Sequence, residues 1–357
     1  MICDAVKNKT IQVEKYKIGP QHQPFVIAEL SGNHNGSLDR ALKIVDMAAE
    51  CGAQAIKLQT YTPDTMTINI SENEFHIGDK SSLWEGTSLY KLYEEAQTPW
   101  EWHKPIFERA RKQGLVAFSS PFSATAVDFL ESLGVAIYKI ASAELVDLDL
   151  IRRVAQTKKP LIMSTGMASI AEIHEAVNMA RSNGCTDLIL LKCTATYPAT
   201  PEESNLNSIP VMRDVFDVQI GLSDHTLGIG AAVAAVAKGV TVIEKHVTLA
   251  RADGGVDSAF SLEPHELKML VSETNVARLA MGTTYIGPTV AELQSLKFRR
   301  SLYAVEDIMD GQRLTEKNVR AIRPGLGMPP KNYSIVLGRK VNCDIKRGTA
   351  INWKLID

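Results

Sequence analysis

From about residue 24 to 283 the chain alternates short apolar runs with amphipathic stretches of helical period. The runs are Phe25-Val26-Ile27-Ala28, Ala55-Ile56-Lys57-Leu58, Val116-Ala117-Phe118, Ala136-Ile137-Tyr138-Lys139-Ile140, Leu161-Ile162-Met163, Leu188-Ile189-Leu190-Leu191, Val218-Gln219-Ile220 and Val240-Thr241-Val242-Ile243. Short runs that are apolar on both faces and separated by helices predict parallel strands covered on both sides. Eight of them over ~260 residues is the count and span of an α/β fold closed into a (β/α)8 TIM barrel. An open doubly wound sheet is the second choice, because no Gly-x-Gly-x-x-Gly turn follows the first run. Ser37 is placed to cap a helix over Leu38 to Ala49 with Leu42, Val45 and Ala49 on one face. Ser169 is placed likewise before Ile170 to Arg181, with Ile173, Val177 and Ala180 aligned.

Residues 61 to 99 form an outsized insertion between the second run and its helix. In a barrel such a loop lies at the active-site end, so a lid or a specificity wall is expected there. Beyond 283 the helical period fades and a near-repeat appears, Asp307-Ile308-Met309-Asp310-Gly311-Gln312-Arg313-Leu314 and Asp344-Ile345-Lys346-Arg347-Gly348-Thr349-Ala350-Ile351. Each copy predicts a short strand, a glycine turn and another short strand. The expected organisation is therefore a barrel over 1–283, a linker over 284–296 and a small β-rich module over 297–357.

A formal net charge of -2 gives no electrostatic reason to expect nucleic acid or an anionic membrane as partner. An anionic substrate must then be held by local positive groups. The start Met1-Ile2-Cys3-Asp4-Ala5-Val6-Lys7 reads as neither signal peptide nor anchor, and no apolar run approaches the ~18 residues of a membrane span. Five scattered cysteines, an odd number and never a CxxC pair, fit a reducing cytoplasm.

Side chains at the C-terminal ends of barrel strands converge on one site. The strand ends here offer Glu29; Lys57 with Gln59, which share a face by the period of two; Ser120; Lys139 and then Ser142; Ser164; Lys192-Cys193-Thr194 and then Tyr197; Ser223-Asp224-His225; and Glu244-Lys245-His246. Lysines supply charge, hydroxyls and helix N-termini supply directed donors, and together they suit a phosphate and a carboxylate. Taken singly, Lys57 or Lys139 reads as an ion pair with Glu29 or another carboxylate. His225 and His246, on adjacent strands, could share a divalent ion with positions left open for water and substrate. Imidazole and oxygen ligands suit Mn, Fe, Co or Zn equally, and a hydrogen-bonded histidine pair without metal fits the spacing as well. His22, His76, His103, His174 and His265 read as surface residues and His34 as a possible site residue, while Trp84 is a candidate lining of a sugar pocket.

Taken together, these segments resemble the sialic acid synthase family. The motifs are Ile27-Ala28-Glu29-Leu30-Ser31-Gly32-Asn33-His34-Asn35-Gly36, Ile56-Lys57-Leu58-Gln59-Thr60, Tyr138-Lys139-Ile140-Ala141-Ser142, Ser164-Thr165-Gly166-Met167, Ser223-Asp224-His225-Thr226, Glu244-Lys245-His246 and Asp257. The tail, with Arg320-Ala321-Ile322-Arg323-Pro324-Gly325, resembles the antifreeze-like (SAF, β-clip) domain of these enzymes. Through Ser82-Leu83-Trp84-Glu85-Gly86, Thr98-Pro99-Trp100-Glu101-Trp102-His103 and Asp257-Ser258-Ala259-Phe260-Ser261 the chain is most similar to the pseudaminic acid synthases.

The resemblance implies condensation of phosphoenolpyruvate with the open-chain aldehyde of 2,4-diacetamido-2,4,6-trideoxy-L-altrose, plus water, with phosphate released by C–O cleavage. It implies a divalent metal, usually manganese, on His225 and His246. Phosphoenolpyruvate would be held by Lys57, Ser120, Lys139, Ser142, Ser164 and Ser223. Glu29 would accept a proton or bind a sugar hydroxyl. Gln59, Tyr197, Asp224, Glu244 and Asp257 would line the substrate site, and Arg323 would enter a neighbouring subunit's barrel in a domain-swapped homodimer. Ala195 departs from the asparagine of sialic-acid-making members. An N-acetylneuraminate or legionaminic acid synthase is the alternative within the family; outside it stand a Schiff-base aldolase using Lys139 or Lys192 and a non-catalytic sugar-binding barrel.

Overall fold

The computed structural model describes residues 9–80 and 83–357. The start Met1 to Lys7 and Ser82 therefore lie outside the described residues. The chain divides into two compact units, one ending at Gly282 and one spanning Thr283–Asp357, so that residues 284–296 fall within the second.

The first unit is built on eight parallel strands. They are β1 (Phe25–Glu29), β2 (Ala55–Thr60), β3 (Val116–Pro121), β4 (Tyr138–Ile140), β5 (Leu161–Ser164), β6 (Leu188–Cys193), β7 (Gln219–Ser223) and β8 (Val242–His246). Hydrogen bonding runs β3-β2-β1-β8-β7-β6-β5-β4, and β3 and β4 approach each other across the remaining seam, closing the barrel. Most strands run further toward their C-terminal ends than the apolar runs suggest. The added residues, such as Glu29, Gln59, Ser119, Ser120, Ser164 and Ser223, are polar groups that the ladder itself holds in place.

Helices alternate with the strands, and their apolar faces join one continuous core with the barrel. Ser37 caps Leu38–Glu50, and Ser169 with Glu172 closes a capping box on Ile170–Ser182. The first of these helices is rotated by about one position from the expected face: Ala41, Ile44, Val45 and Ala48 are buried, whereas Leu42 and Ala49 are half-buried. Two of its five buried residues, Ala41 and Ala48, are alanine, which carries a weak hydrophobic signal. Within β7, Gly221 allows close packing, since a Cβ there would lie 2.4 Å from Leu191 and 2.6 Å from the Val242 carbonyl.

A hairpin of Ile11–Val13 and Tyr16–Ile18 precedes the barrel. Gln219, the first residue of β7, donates to the Ile18 carbonyl at 3.3 Å, and the Tyr16 hydroxyl donates to Gly114 just before β3. The hairpin thus covers the N-terminal end of the barrel and leaves the C-terminal end to the βα loops.

The second unit has its own core of Leu302, Ile308, Leu314, Val319, Val336, Val341, Ile345 and Ile351. Its only ladder among the described residues pairs Ser301–Ala304 with Val319–Ile322. The two near-repeats do not form separate strand-turn-strand pieces; each pairs with the other about a local two-fold. Ile308 and Ile345 exchange both backbone hydrogen bonds, at 2.8 and 2.7 Å. The Asp344 carboxylate accepts from Asp310 N, and the Asp307 carboxylate accepts from Arg347 N, both at 2.8 Å. Gly311 and Gly348 occupy the matching turns at φ 76° and 89°, a region where a side chain is strained. The repeat is legible in the sequence because its two copies build one symmetric core. No helix among the described residues is long and apolar enough to cross a membrane.

Candidate active site

At the C-terminal end of the barrel two lysines and two glutamates share one buried cluster. Lys57 Nζ lies 2.6 Å from Glu29 and 3.7 Å from Glu244, and Lys139 Nζ lies 2.9 and 3.1 Å from the two oxygens of Glu244. All four side chains are at most 5% exposed. The period of two explains the gathering: Lys57 and Gln59 project from one face of β2 and both reach Glu29, the latter donating at 3.0 Å. Ser120 accepts from Lys57 at 3.4 Å, and Ser223 donates to Glu244 at 3.3 Å. Ser164, at the end of β5, is buried and its hydroxyl has no hydrogen-bond partner, which leaves a directed donor free. Ser142 accepts from Gly166 N at 3.1 Å.

The charges respond to this crowding. Burial raises the pKa of Glu29, with Glu244 adding to the rise and Lys57 opposing it. Burial also works on Glu244, but Lys139 and Lys57 overcome it and bring its pKa down to about 2. Burial lowers Lys139 in spite of Glu244, while Glu244 and Glu29 hold Lys57 above its ordinary value. The ion pairs expected of single lysines are present, and they belong to one network with no net charge. An incoming phosphate or carboxylate would therefore compete with Glu29 and Glu244 for ammonium groups already stripped of water.

Next to this network stand the two imidazoles, with ring centroids 5.4 Å apart. His225 Nδ1 lies 2.9 Å from the Thr194 carbonyl, which fixes the ring and leaves Nε2 as a lone pair. His246 Nδ1 is buried with no partner, 3.8 Å from Asp257. Burial, His225 and the surrounding lysines hold the His246 pKa well below its ordinary value, in the neutral form a metal requires. Two rings bound to one ion at metal–nitrogen distances of about 2.1 Å place their centroids about 5 Å apart, so the observed pair fits a shared cation. Burial opposes the charge on His225, but Cys193, 4.0 Å away, leaves its pKa raised overall. Phe260 packs on both rings and on Tyr197, whose own ring lies 4.5 Å from His225.

A second cluster of metal-ligating groups, Glu263, His265 and Glu266, is already committed. Its carboxylates close a capping box on the helix Pro264–Met281 and pair with Arg251.

A cavity of about 500 Å³ opens from His246 toward the insertion. Gln59, Ser142, Tyr197, His246 and Asp257 line it, as does Trp84, whose indole N–H donates to the Val256 carbonyl at 2.9 Å. Two expectations need correction. Asp224 is not part of the mouth: it takes two hydrogen bonds from Thr226 and pairs with Lys245 at 3.0 Å, on the opposite side of β8 from Glu244. His103 is fully buried, bonded through Nε2 to Thr60 at 2.8 Å and set against Phe107 and Phe129; its helix turns it inward. Arg323 is exposed on the second unit, just beyond the strand Val319–Ile322. Sequence reasoning passed over Ser31, which links Gln59 to Asp257 from a left-handed φ of 49°, and Glu144, a half-buried carboxyl in the cavity wall. Ser31 sits in the strand-end motif, and a short polar residue there was the available signal.

Comparison with known proteins agrees with this arrangement. The NeuB family model matches residues 44–285 and the SAF domain model matches 299–357. The pseudaminic acid synthase of Campylobacter jejuni is 45% identical over 327 residues, covering 92% of this chain and 95% of that protein. That of Helicobacter pylori is 43% identical over 331 residues, covering 92% and 96%. The crystal structure of an N-acetylneuraminic acid synthetase from Leptospira borgpetersenii superposes with a TM-score of 0.73 at 32% identity, covering 82% of this chain and 96% of that one.

Proposed function

The chain belongs to the NeuB family, and from that premise we propose that it is a transferase making pseudaminic acid. It joins phosphoenolpyruvate to 2,4-diacetamido-2,4,6-trideoxy-L-altrose and water, with loss of phosphate. The observation that carries the chemistry is the convergence of a buried ammonium pair and a buried imidazole pair on one barrel mouth. The identity to pseudaminic acid synthases over most of both chains carries the choice of sugar.

Synthases of this family are metal-dependent in general. His225 and His246 would hold the ion, with manganese our choice, and when bound it supplies Lewis acidity toward the aldehyde oxygen. The chain's own groups do the rest. Lys57 and Lys139 exchange part of their pairing with Glu29 and Glu244 for the anionic groups of phosphoenolpyruvate, and the free Ser164 hydroxyl donates to the same anion. Tyr197, Gln59 and Asp257 orient the sugar so that its aldehyde carbon meets the methylene carbon of phosphoenolpyruvate. The new C–C bond forms from the enol π electrons as the aldehyde C=O π pair moves onto its oxygen, which is protonated to a hydroxyl, and an oxocarbenium centre is left at C2. Glu29, a buried carboxyl beside Lys57, takes the proton of the water that adds there. The tetrahedral carbon then expels phosphate with its bridging oxygen, giving the 2-keto acid. We further propose a homodimer in which Arg323 of one copy completes the sugar site of the other.

A phosphate-release assay across candidate hexoses tests this. The diacetamido-trideoxy-altrose should be the preferred substrate, with activity abolished by EDTA and restored by Mn2+. Preference for N-acetylmannosamine, or activity indifferent to chelation, would overturn the reading.

A further inference from the structure

The cavity wall is divided by origin. The barrel supplies its ionisable groups, Glu144, His246 and Asp257, together with Gln59 and the hydroxyls of Ser31, Ser142 and Tyr197. The insertion supplies Tyr61, Met66, Ile77, Trp84, Leu89, Leu92, Tyr93 and Ala96, with no charged side chain. The one side-chain N–H among these eight, that of Trp84, is already given to Val256. The insertion is firmly tied down: Ile77 N bonds to the Thr87 carbonyl and Gly86 N to the Ile77 carbonyl, both at 2.9 Å, and Ser88 caps the helix Leu89–Ala96 that carries Leu89, Leu92 and Tyr93. Tyr61 and Tyr93 pack edge to face within it, at 5.8 Å.

We infer that this apolar wall is a specificity device that selects a deoxygenated, methyl-bearing distal end of the sugar and rejects a hydroxylated one. The aldehyde end must lie at His225 and His246, next to the lysines, because bond formation occurs there. The far end of an open-chain hexose is then directed toward the insertion. A C6 methyl and the methyl of a C4 acetamido group find apolar contacts on that wall. A C6 hydroxyl brought there loses water and meets no side-chain partner among these eight beyond the hydroxyls of Tyr61 and Tyr93. Against an added hydroxyl, such a pocket discriminates by up to roughly 100-fold in kcat/KM. The inference rests on the condensation proposed above and adds to it which part of the sugar the insertion reads.

The test compares kcat/KM for 2,4-diacetamido-2,4,6-trideoxy-L-altrose and its 6-hydroxy counterpart in the wild type and in Leu92→Asn and Ile77→Ser. The wild type should favour the 6-deoxy sugar by about tenfold or more. Each variant should lower that ratio several-fold while KM for phosphoenolpyruvate stays unchanged. The conservative Leu92→Met should restore the ratio, which separates recognition from misfolding. A wild type that turns over both sugars equally, or variants that lose activity on both in the same proportion, would overturn the inference and leave the condensation standing. A wild type inactive on either sugar would instead defeat the condensation reading itself.

Discussion

Replacing Glu244 by glutamine removes one charge from the centre of the site and almost no volume. Lys139 then loses its bidentate carboxylate partner, while Lys57 keeps Glu29 at 2.6 Å. Two routes give the magnitude. Breaking a buried ion pair from one side costs about 3–5 kcal/mol. The linkage route starts from the Glu244 pKa, brought down to about 2 from 4.5 by its surroundings, which corresponds to about 3 kcal/mol. A carboxyl with a depressed folded pKa contributes this stability above its unfolded pKa and loses it as pH falls toward 2. Glu244→Gln should therefore be about 3 kcal/mol less stable than wild type at pH 7, lowering Tm by about 6–12 °C, and the gap should narrow as pH falls from about 4.5 toward 2. Inorganic phosphate should recover more of the loss in the variant than it adds to the wild type, because the anion repairs the unpaired Lys139. Thermal melts across pH, with and without phosphate, read both effects. Equal midpoints at pH 7, or an identical response to phosphate, would refute the reasoning about a charge-balanced cluster.

The remaining predictions concern separate parts of the molecule. Burial brings the His103 pKa to about 4 from an ordinary 6.5, so its neutral form stabilises the fold above pH 6.5 and about 3 kcal/mol is lost as pH falls through 4; urea melts of His103→Leu should show a flatter acid limb than wild type, and parallel limbs would contradict this. Borohydride with pyruvate should leave no adduct on Lys139, which Glu244 holds at 2.9 Å, nor on Lys192, which donates to the Cys193 carbonyl; a mass increase on either would point to a Schiff-base route. Mixing inactive His246→Ala and Arg323→Ala chains should recover part of the activity if sites are shared between copies, and no recovery after verified subunit exchange would argue against the shared site.

Much of the barrel and its mouth is legible in the sequence because two short periods govern them. The period of two puts Lys57 with Gln59 and separates Glu244 from Lys245, and the structure shows both consequences in hydrogen bonds. What local pattern cannot convey is where a loop or helix turns a polar group. Asp224 follows a strand end as the other site residues do, yet the next two residues bend it back onto Thr226. His103 lies in a helix otherwise rich in charge, and its burial follows from partners distant in the chain, Thr60 at 43 residues and the ring of Phe129. The alanine-rich inner face of Leu38–Glu50 misleads by one position because Ala41 and Ala48 bury little surface each.

The account turns on the imidazoles and the ammonium groups serving one substrate-sized space. Relaxation of the 31P nucleus of phosphoenolpyruvate, measured with Mn2+ and the intact protein, reads that proximity directly. Strong paramagnetic enhancement in the wild type that vanishes in His246→Ala, with phosphoenolpyruvate still bound through Lys57 and Lys139, is the predicted result. Enhancement that is absent from the wild type, or that survives loss of His246, would contradict it.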